Sequence, residues 1–399
     1  MTKVELLAPA GDLEKLKIAI LYGADTVFIG GPVFGLRARA SNFTLEDIKE
    51  AVEFAHERGK KVYVTTNIVP HNEDISQLVD YLKYLSEIEV DAIIVSSLYI
   101  AKVAKEVVPN LEVHLSTQMS VANSYATKFI KNLGIKRIVL ARELSLKDLE
   151  ELRKNTTCDL EVFIHGGMCV SYSGRCMLSN YMTNRDANRG GCAHSCRWNY
   201  DLYYDNQILN DDGNYFNIAS KDLNAFTVVP KLIDIGVQSL KIEGRMKSIY
   251  YIATVVRAYR NLIDEYLRTG KVNYNYYEEE LKKAESRESS TGFLLGQVTK
   301  DQQLYNQRSE KITKEFCGYV LDYDEQSNIA TIEQRNYFEP GDYLEFFGPS
   351  LPNTTYQVTK IFSEEGQELD AARHPQQILK IYVPFKLAKH DMVRRLTKN

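Results

Sequence analysis

Eight short apolar runs recur through the first 270 residues, at 4–8, 26–30, 61–65, 92–96, 112–116, 137–141, 161–165 and 239–243. They are rich in Val, Ile, Leu and Phe, and near-continuous apolar strands fit a parallel sheet covered on both faces. Stretches with helical spacing separate them, at 13–22, 45–58, 76–88, 98–107, 123–133 and 146–154, then at 222–232, with another at 249–268. Thr44, with Asp47 three residues later, reads as a helix start, and Gly59 as a stop. Such alternation allows an open doubly wound sheet or a closed barrel. No dinucleotide fingerprint follows the first run, where 8–12 reads Ala-Pro-Ala-Gly-Asp. Eight strands in ~270 residues match the size of a (β/α)8 barrel. The predicted fold is therefore an α/β, TIM-like (β/α)8 barrel over residues 1–270. A cysteine-rich insertion at about 166–217 interrupts it, and a helical linker follows over 271–310, with a helix at 276–286. From 311 to 399 the pattern turns to period two, at 316–321, 329–333, 343–347, 357–362, 379–383 and 392–396. That part reads as a small C-terminal antiparallel β-barrel.

Chemistry in such barrels sits at the C-terminal strand ends. Asp12, Asn67, Ser96, Gln118, Arg142, Glu143, His165, Glu243 and Arg245 fall there, and Arg37 and Arg39 follow the second run. Several cations meeting on one face suit a small polyanion, a carboxylate above all. Each residue alone also reads as a cap or loop residue.

Of six cysteines, Cys169, Cys176, Cys192 and Cys196 fall within 28 residues, with six, fifteen and three residues between them. Residues 1–12 lack the pattern of a secretory leader, and no apolar run approaches the ~20 residues of a membrane span. The expected location is the cytoplasm, with no membrane partner and with reduced thiols rather than a disulfide framework. The spacing leaves three uses open: an iron–sulfur cluster, a zinc ion, or buried reduced cysteines. Gly166, Gly167, Gly174, Gly190 and Gly191 would let backbone amides approach cluster sulfurs. Arg175, Arg185, Arg189 and Arg197, against Asp186 alone, would suit an anionic cluster. Cys158 and Cys317 stand apart and read as structural. No Gly-x-Ser-x-Gly elbow, His-Glu-x-x-His helix or Walker loop is present. A Cys169–His165 nucleophile pair can be drawn, but ligation is the better use of that thiol.

The string Glu161-Val-Phe-Ile-His-Gly-Gly-Met-Cys169 and the string Ser171-Tyr-Ser-Gly-Arg-Cys176 resemble the collagenase-like peptidase family of unknown catalytic type, family thirty-two. Leu6-Leu-Ala-Pro-Ala-Gly11, His114-Leu-Ser-Thr-Gln118 and Ser239-Leu-Lys-Ile-Glu-Gly-Arg245 extend the resemblance along the chain. Arg142-Glu-Leu-Ser145 and Cys196-Arg-Trp198 are similar to its tRNA-hydroxylating branch. The resemblance implies oxygen-independent conversion of wobble uridine in tRNA to 5-hydroxyuridine, with prephenate as hydroxyl donor. It also implies a [4Fe–4S] cluster on Cys169, Cys176, Cys192 and Cys196. Prephenate is a dicarboxylate, so Arg37, Arg39, Arg142, Lys241 and Arg245 become candidates to hold it, with Asn67 and Gln118 beside them. Glu143, His165 and Glu243 are candidates to move protons. Sister members hydroxylate a ribosomal RNA cytidine or quinone precursors. Some members work in pairs, which makes a paralogous subunit a further expected partner. The peptidase name offers a competing reading, and a non-catalytic RNA-binding subunit another.

The formal charge of −4 excludes a strongly basic nucleic-acid coat, so RNA contact must be local. One candidate patch is the cysteine insertion, with aromatic Tyr172, Tyr181 and Trp198. The other is 380–399, where Lys380, Lys386, Lys389, Arg394, Arg395 and Lys398 face Asp391 alone.

Overall fold

The computed structural model describes residues 4–36, 42–210, 215–285, 287–304 and 315–396. Arg37 and Arg39 lie outside the described residues.

The eight apolar runs form eight parallel strands: β1 (Glu5–Pro9), β2 (Thr26–Gly30), β3 (Lys61–Thr66), β4 (Ala92–Val95), β5 (Glu112–Leu115), β6 (Arg137–Val139), β7 (Asp159–Gly166) and β8 (Ser239–Ile242). Neighbours pair in chain order, and β8 pairs with both β1 and β7, so the sheet closes. Helices α1 (Leu13–Leu21), α2 (Leu45–His56), α3 (Leu78–Glu87), α4 (Leu98–Val107), α5 (Ser124–Asn132) and α6 (Leu146–Lys154) each follow the strand of the same number. Local sequence explains where they begin. The Thr44 hydroxyl accepts from the Asp47 amide while the Asp47 carboxylate accepts from the Thr44 amide, and Ser145 with Asp148 repeats this at α6. The insertion carries a short α7 (Leu178–Thr183); α8 (Val229–Ile235) precedes β8, and the long α9 (Ile249–Thr269) follows it.

One expected helix begins late. Residues 222–224 extend instead, pairing antiparallel with the end of β7 and parallel with Ser289–Ser290, and helix starts only after them. These residues patch the strand end from which the insertion departs. The linker helix α10 runs Tyr274–Lys282.

The C-terminal part is an eight-stranded antiparallel sheet: β9 (Glu315–Asp324), β10 (Ile329–Gln334), β11 (Tyr343–Phe347), β12 (Thr354–Gln357), β13 (Ile361–Ser363), β14 (Glu368–Leu369), β15 (Ile378–Tyr382) and β16 (Met392–Arg395). The register of β9 slips against both its neighbours, and such bulges curl a sheet. Tyr250 of α9 stacks on Phe316 at 5.2 Å, and the Tyr22 hydroxyl donates to the His390 carbonyl at 2.9 Å, so the sheet docks on the barrel's outer helices.

That docking corrects the reading of 380–399 as an open basic patch. Arg394 is fully buried and pairs with Glu280 of α10 and Glu345 of β11. Arg395 pairs with Glu315 and Asp342, Lys386 with Glu325, and Lys380 donates to the Glu364 carbonyl. Lys398 lies outside the described residues. Among the described residues, no helix is long and apolar enough to cross a membrane.

Candidate functional site at the barrel mouth

Alternate residues of each strand point into the barrel. The lowest inward layer is ionic. The Arg137 guanidinium reaches across to Glu5 at 2.6 Å, Tyr63 and Ser239 donate to Glu5 at 2.8 and 2.7 Å, and Lys241 meets Glu161 at 2.6 Å. Burial would push the Glu161 carboxyl up, but Lys241, Arg137 and His114 hold it below the usual range. Lys241, expected to bind an external carboxylate, therefore already has an internal one. Its ammonium also lies 4.4 Å from the centre of the Phe28 ring.

Above this layer, at the C-terminal end, is a cavity of ≈ 140 Å³. Asn67, Gln118, Arg142, Lys241, Glu243 and Arg245 all line it, so six of the sequence candidates are brought together. Arg245 crosses the mouth, donating to Asn42 Oδ1 at 2.9 Å and Thr65 Oγ1 at 3.3 Å. Gly30 permits this, since a side chain there would collide with the guanidinium. Arg142 lies over the Phe163 ring at 4.7 Å and donates to the Gly167 carbonyl at 2.8 Å. Asn67 Oδ1 accepts from the Leu36 amide, and Gln118 Oε1 from Ser116 Oγ. Phe28, Thr65, Ser116 and Phe163 also line the wall. The sequence held a signal for Phe163, which is two residues from Glu161 and so on the same face of β7.

The other candidates lie elsewhere. His165 should point inward by alternation from Glu161 and Phe163. The register between β7 and β8 skips a residue there, from Lys241–Phe163 to Ile242–His165, which turns the imidazole outward. Its Nδ1 lies 3.2 Å from the Tyr259 hydroxyl of α9, and burial drives its pKa down to about 3. It is a neutral wall residue and not a proton carrier at the mouth. Glu143 accepts from the Ser173 amide at 2.7 Å and from its hydroxyl, so it anchors the insertion. Asp12 caps α1, and Ser96 donates to the Asn67 and Ile68 carbonyls.

Glu243 alone among the expected proton carriers faces the cavity. Its Oε2 accepts from the Gly167 amide at 3.3 Å. It also lines a second, outer cleft of ≈ 380 Å³, together with Gly167, His194, Arg197, Trp198, Asp222, Gly244, Met246, Lys247 and Arg287. Arg287 stands 3.5 Å from Asp222. Sequence reasoning passed over His194, Lys247 and Arg287 because they come from three separate segments; adjacency to Arg245 was the one available signal for Lys247.

The insertion is latched over this end of the barrel. Arg189 makes a two-pronged pair with Asp74, Asn188 accepts from the Val69 amide, and Arg175 donates to the Gln118 carbonyl at 2.5 Å. Two of its four arginines are thus engaged within the protein. The cysteine backbones are pinned as well. Asn188 donates to the Cys176 carbonyl, Ser179 Oγ bonds the residues on either side of Cys192, and the Cys196 carbonyl accepts from Ile218. Burial lifts the Cys196 thiol to about 11, and Cys169, Cys192 and Cys176 push it the same way, so all three lie within electrostatic reach of Cys196. Among the described residues, no three His, Cys, Asp or Glu side chains are arranged to hold a metal ion. Four thiols without imidazole or carboxylate are the donor set of an iron–sulfur cluster and of a structural zinc ion alike. Ser195 Oγ and Arg185 Nε are buried in the same insertion without hydrogen-bond partners, as donors awaiting an acceptor would be. Cys158 and Cys317 are buried apart from them.

Residues 11–304 match the sequence pattern of "Peptidase family U32", and residues 313–394 that of "Peptidase family U32 C-terminal domain". The chain is 49% identical over 400 residues to "tRNA hydroxylation protein P1" of Bacillus subtilis, covering 98% of this chain and 95% of that protein. It is 40% identical over 263 residues to "23S rRNA 5-hydroxycytidine C2501 synthase" of Escherichia coli, covering 66% of this chain and 39% of that one. It is 31% identical over 410 residues to "Collagenase" of Porphyromonas gingivalis, covering 99% and 98%.

Proposed function

We infer that this chain, which belongs to peptidase family U32 along both its barrel and its C-terminal sheet, hydroxylates RNA and does not cleave peptides. Its substrate in this reading is the wobble uridine of tRNA, converted to 5-hydroxyuridine with prephenate as hydroxyl donor. Similarity over nearly full length to a tRNA hydroxylation protein supports the tRNA assignment. One observation carries the chemistry: a small cavity holding the Arg142 and Arg245 guanidiniums opens beneath an insertion that gathers four thiols. The peptidase reading lacks such support. His165, the imidazole nearest Cys169 in sequence, is turned onto α9 and is neutral.

A cavity of ≈ 140 Å³ is close to the ~150 Å³ that accommodates a benzene ring. It accepts the six-membered ring of prephenate, with the carboxylates meeting Arg142 and Arg245 in charge-assisted pairs. Gln118 and Asn67 add polar contacts that fix the ring's orientation. Replacing C5–H by C5–OH takes two electrons from the uracil. The donor's ring C–O bond breaks with the electron pair left on the donor, which takes up a proton, and Glu243 is the carboxylate placed to carry the proton displaced from the base. Cys169, Cys176, Cys192 and Cys196 would hold a [4Fe–4S] cluster, which supplies one-electron redox capacity beside the mouth. Glu143, Arg175 and Arg189 keep that insertion seated.

The test is nucleoside mass spectrometry of tRNA incubated with oxygen-free protein, with and without prephenate. Hydroxyuridine formed only with prephenate is the expected result. Peptide cleavage without nucleoside change would overturn the proposal.

A further inference from the structure

The inner cavity is too small for a nucleotide, and this raises the question of where the RNA base goes. We propose that the outer cleft is a nucleotide subsite, in which a base flipped out of the tRNA stacks on Trp198 and its phosphates face Arg197 and Lys247. Glu243 then stands as the shared wall between nucleotide and oxygen donor. The inference rests on the RNA-hydroxylase reading and deepens it.

Four observations carry it. The cleft is ≈ 380 Å³ against ≈ 140 Å³ inside, and Glu243 lines both. Its lining sets Arg197, Lys247 and Arg287 against Asp222 and Glu243, with Arg287 paired to Asp222, and adds Trp198, which is 41% exposed. Cations with an open aromatic face are the elements that hold single-stranded nucleotides. The backbone that carries the indole is also fixed. The Trp198 amide donates to the Ser195 carbonyl at 3.2 Å, and the buried Asn217 donates to the Arg197 and Trp198 carbonyls at 3.1 and 3.4 Å. Tyr200 lies beside it, its hydroxyl fixed on the Ser195 carbonyl at 2.6 Å. Finally, the cleft adjoins the four-thiol group directly, since Arg197 follows Cys196 in the chain and the Cys196 carbonyl is tied to Ile218.

The experiment uses full-length, oxygen-free protein with tRNA, uridine 5′-monophosphate and prephenate as separate binding probes. Trp198→Ala is expected to weaken tRNA and uridine 5′-monophosphate binding about tenfold and to leave prephenate binding unchanged, with Trp198→Phe restoring most of the loss. Arg142→Gln is expected to do the converse. Unchanged tRNA affinity in Trp198→Ala, or equal loss of both ligands, would overturn the subsite. Product formation in the wild type separates the two proposals. Hydroxyuridine made by a protein in which Trp198→Ala changes nothing sinks the subsite alone. Weakened tRNA binding in Trp198→Ala, with no product from the wild type, sinks the hydroxylase reading and leaves the subsite standing.

Discussion

The two ends of the barrel interior both carry charge, and they use it in opposite ways. At the lower end Arg137 pairs with Glu5 and Lys241 with Glu161, Tyr63 and Ser239 donate to Glu5, and the Arg137 guanidinium stands 3.8 Å from Glu161. At the mouth Arg142 lies over the Phe163 ring and donates to a neutral carbonyl, while Arg245 donates to an amide oxygen and a hydroxyl. A neutral partner fixes the Arg142 guanidinium without neutralising it, so its charge remains for a ligand. The lower end should govern stability and the mouth activity.

The largest effect is therefore expected below. Glu161→Ala leaves Lys241 and Arg137 buried with less compensation, and losing one partner of a buried pair costs about 3–5 kcal/mol. A denaturant melt checks this; an unchanged midpoint would break the contrast. Next is Arg142→Gln at the mouth. Hydroxylation should fall about 100-fold, as expected for lost orientation, while stability stays within about 1 kcal/mol. A large stability loss with activity preserved per folded molecule would reverse the two roles.

A smaller effect concerns the wall behind the mouth. His165 has a folded-state pKa near 3 against an ordinary 6.5. Between those values the unfolded chain binds the proton and the folded chain does not, so stability is full above 6.5 and declines as pH falls toward 3. His165→Gln should flatten the decline in melting temperature between pH 7 and pH 5, and an identical slope would show that the imidazole is not buried neutral. The smallest effect is expected in the C-terminal sheet. Lys380→Gln with Lys386→Gln should leave tRNA affinity within about twofold and its salt dependence unchanged. A shallower salt slope would restore that face as an RNA contact.

What could be read from the chain follows from range. The eight strands were legible because burial on both faces leaves a local mark at each run. The capping box at Thr44 and Asp47 is local in the same sense. The pairing of Lys241 was not legible, because Glu161, 80 residues earlier, becomes its neighbour only through barrel register. Arg394 was misjudged for the same reason, since Glu280 and Glu345 come from α10 and another strand. His165 defeated simple alternation through a one-residue skip that no composition reveals. The cysteines were visible by spacing, but the seating of their loop by Glu143 and Arg189 was not.

The most direct measurement is isotope tracing with prephenate carrying oxygen-18 in its ring hydroxyl, in oxygen-free solution with tRNA. Label recovered in the 5-hydroxyuridine is the expected result for a donor held at the barrel mouth. Unlabelled product, its oxygen drawn from water, would contradict it.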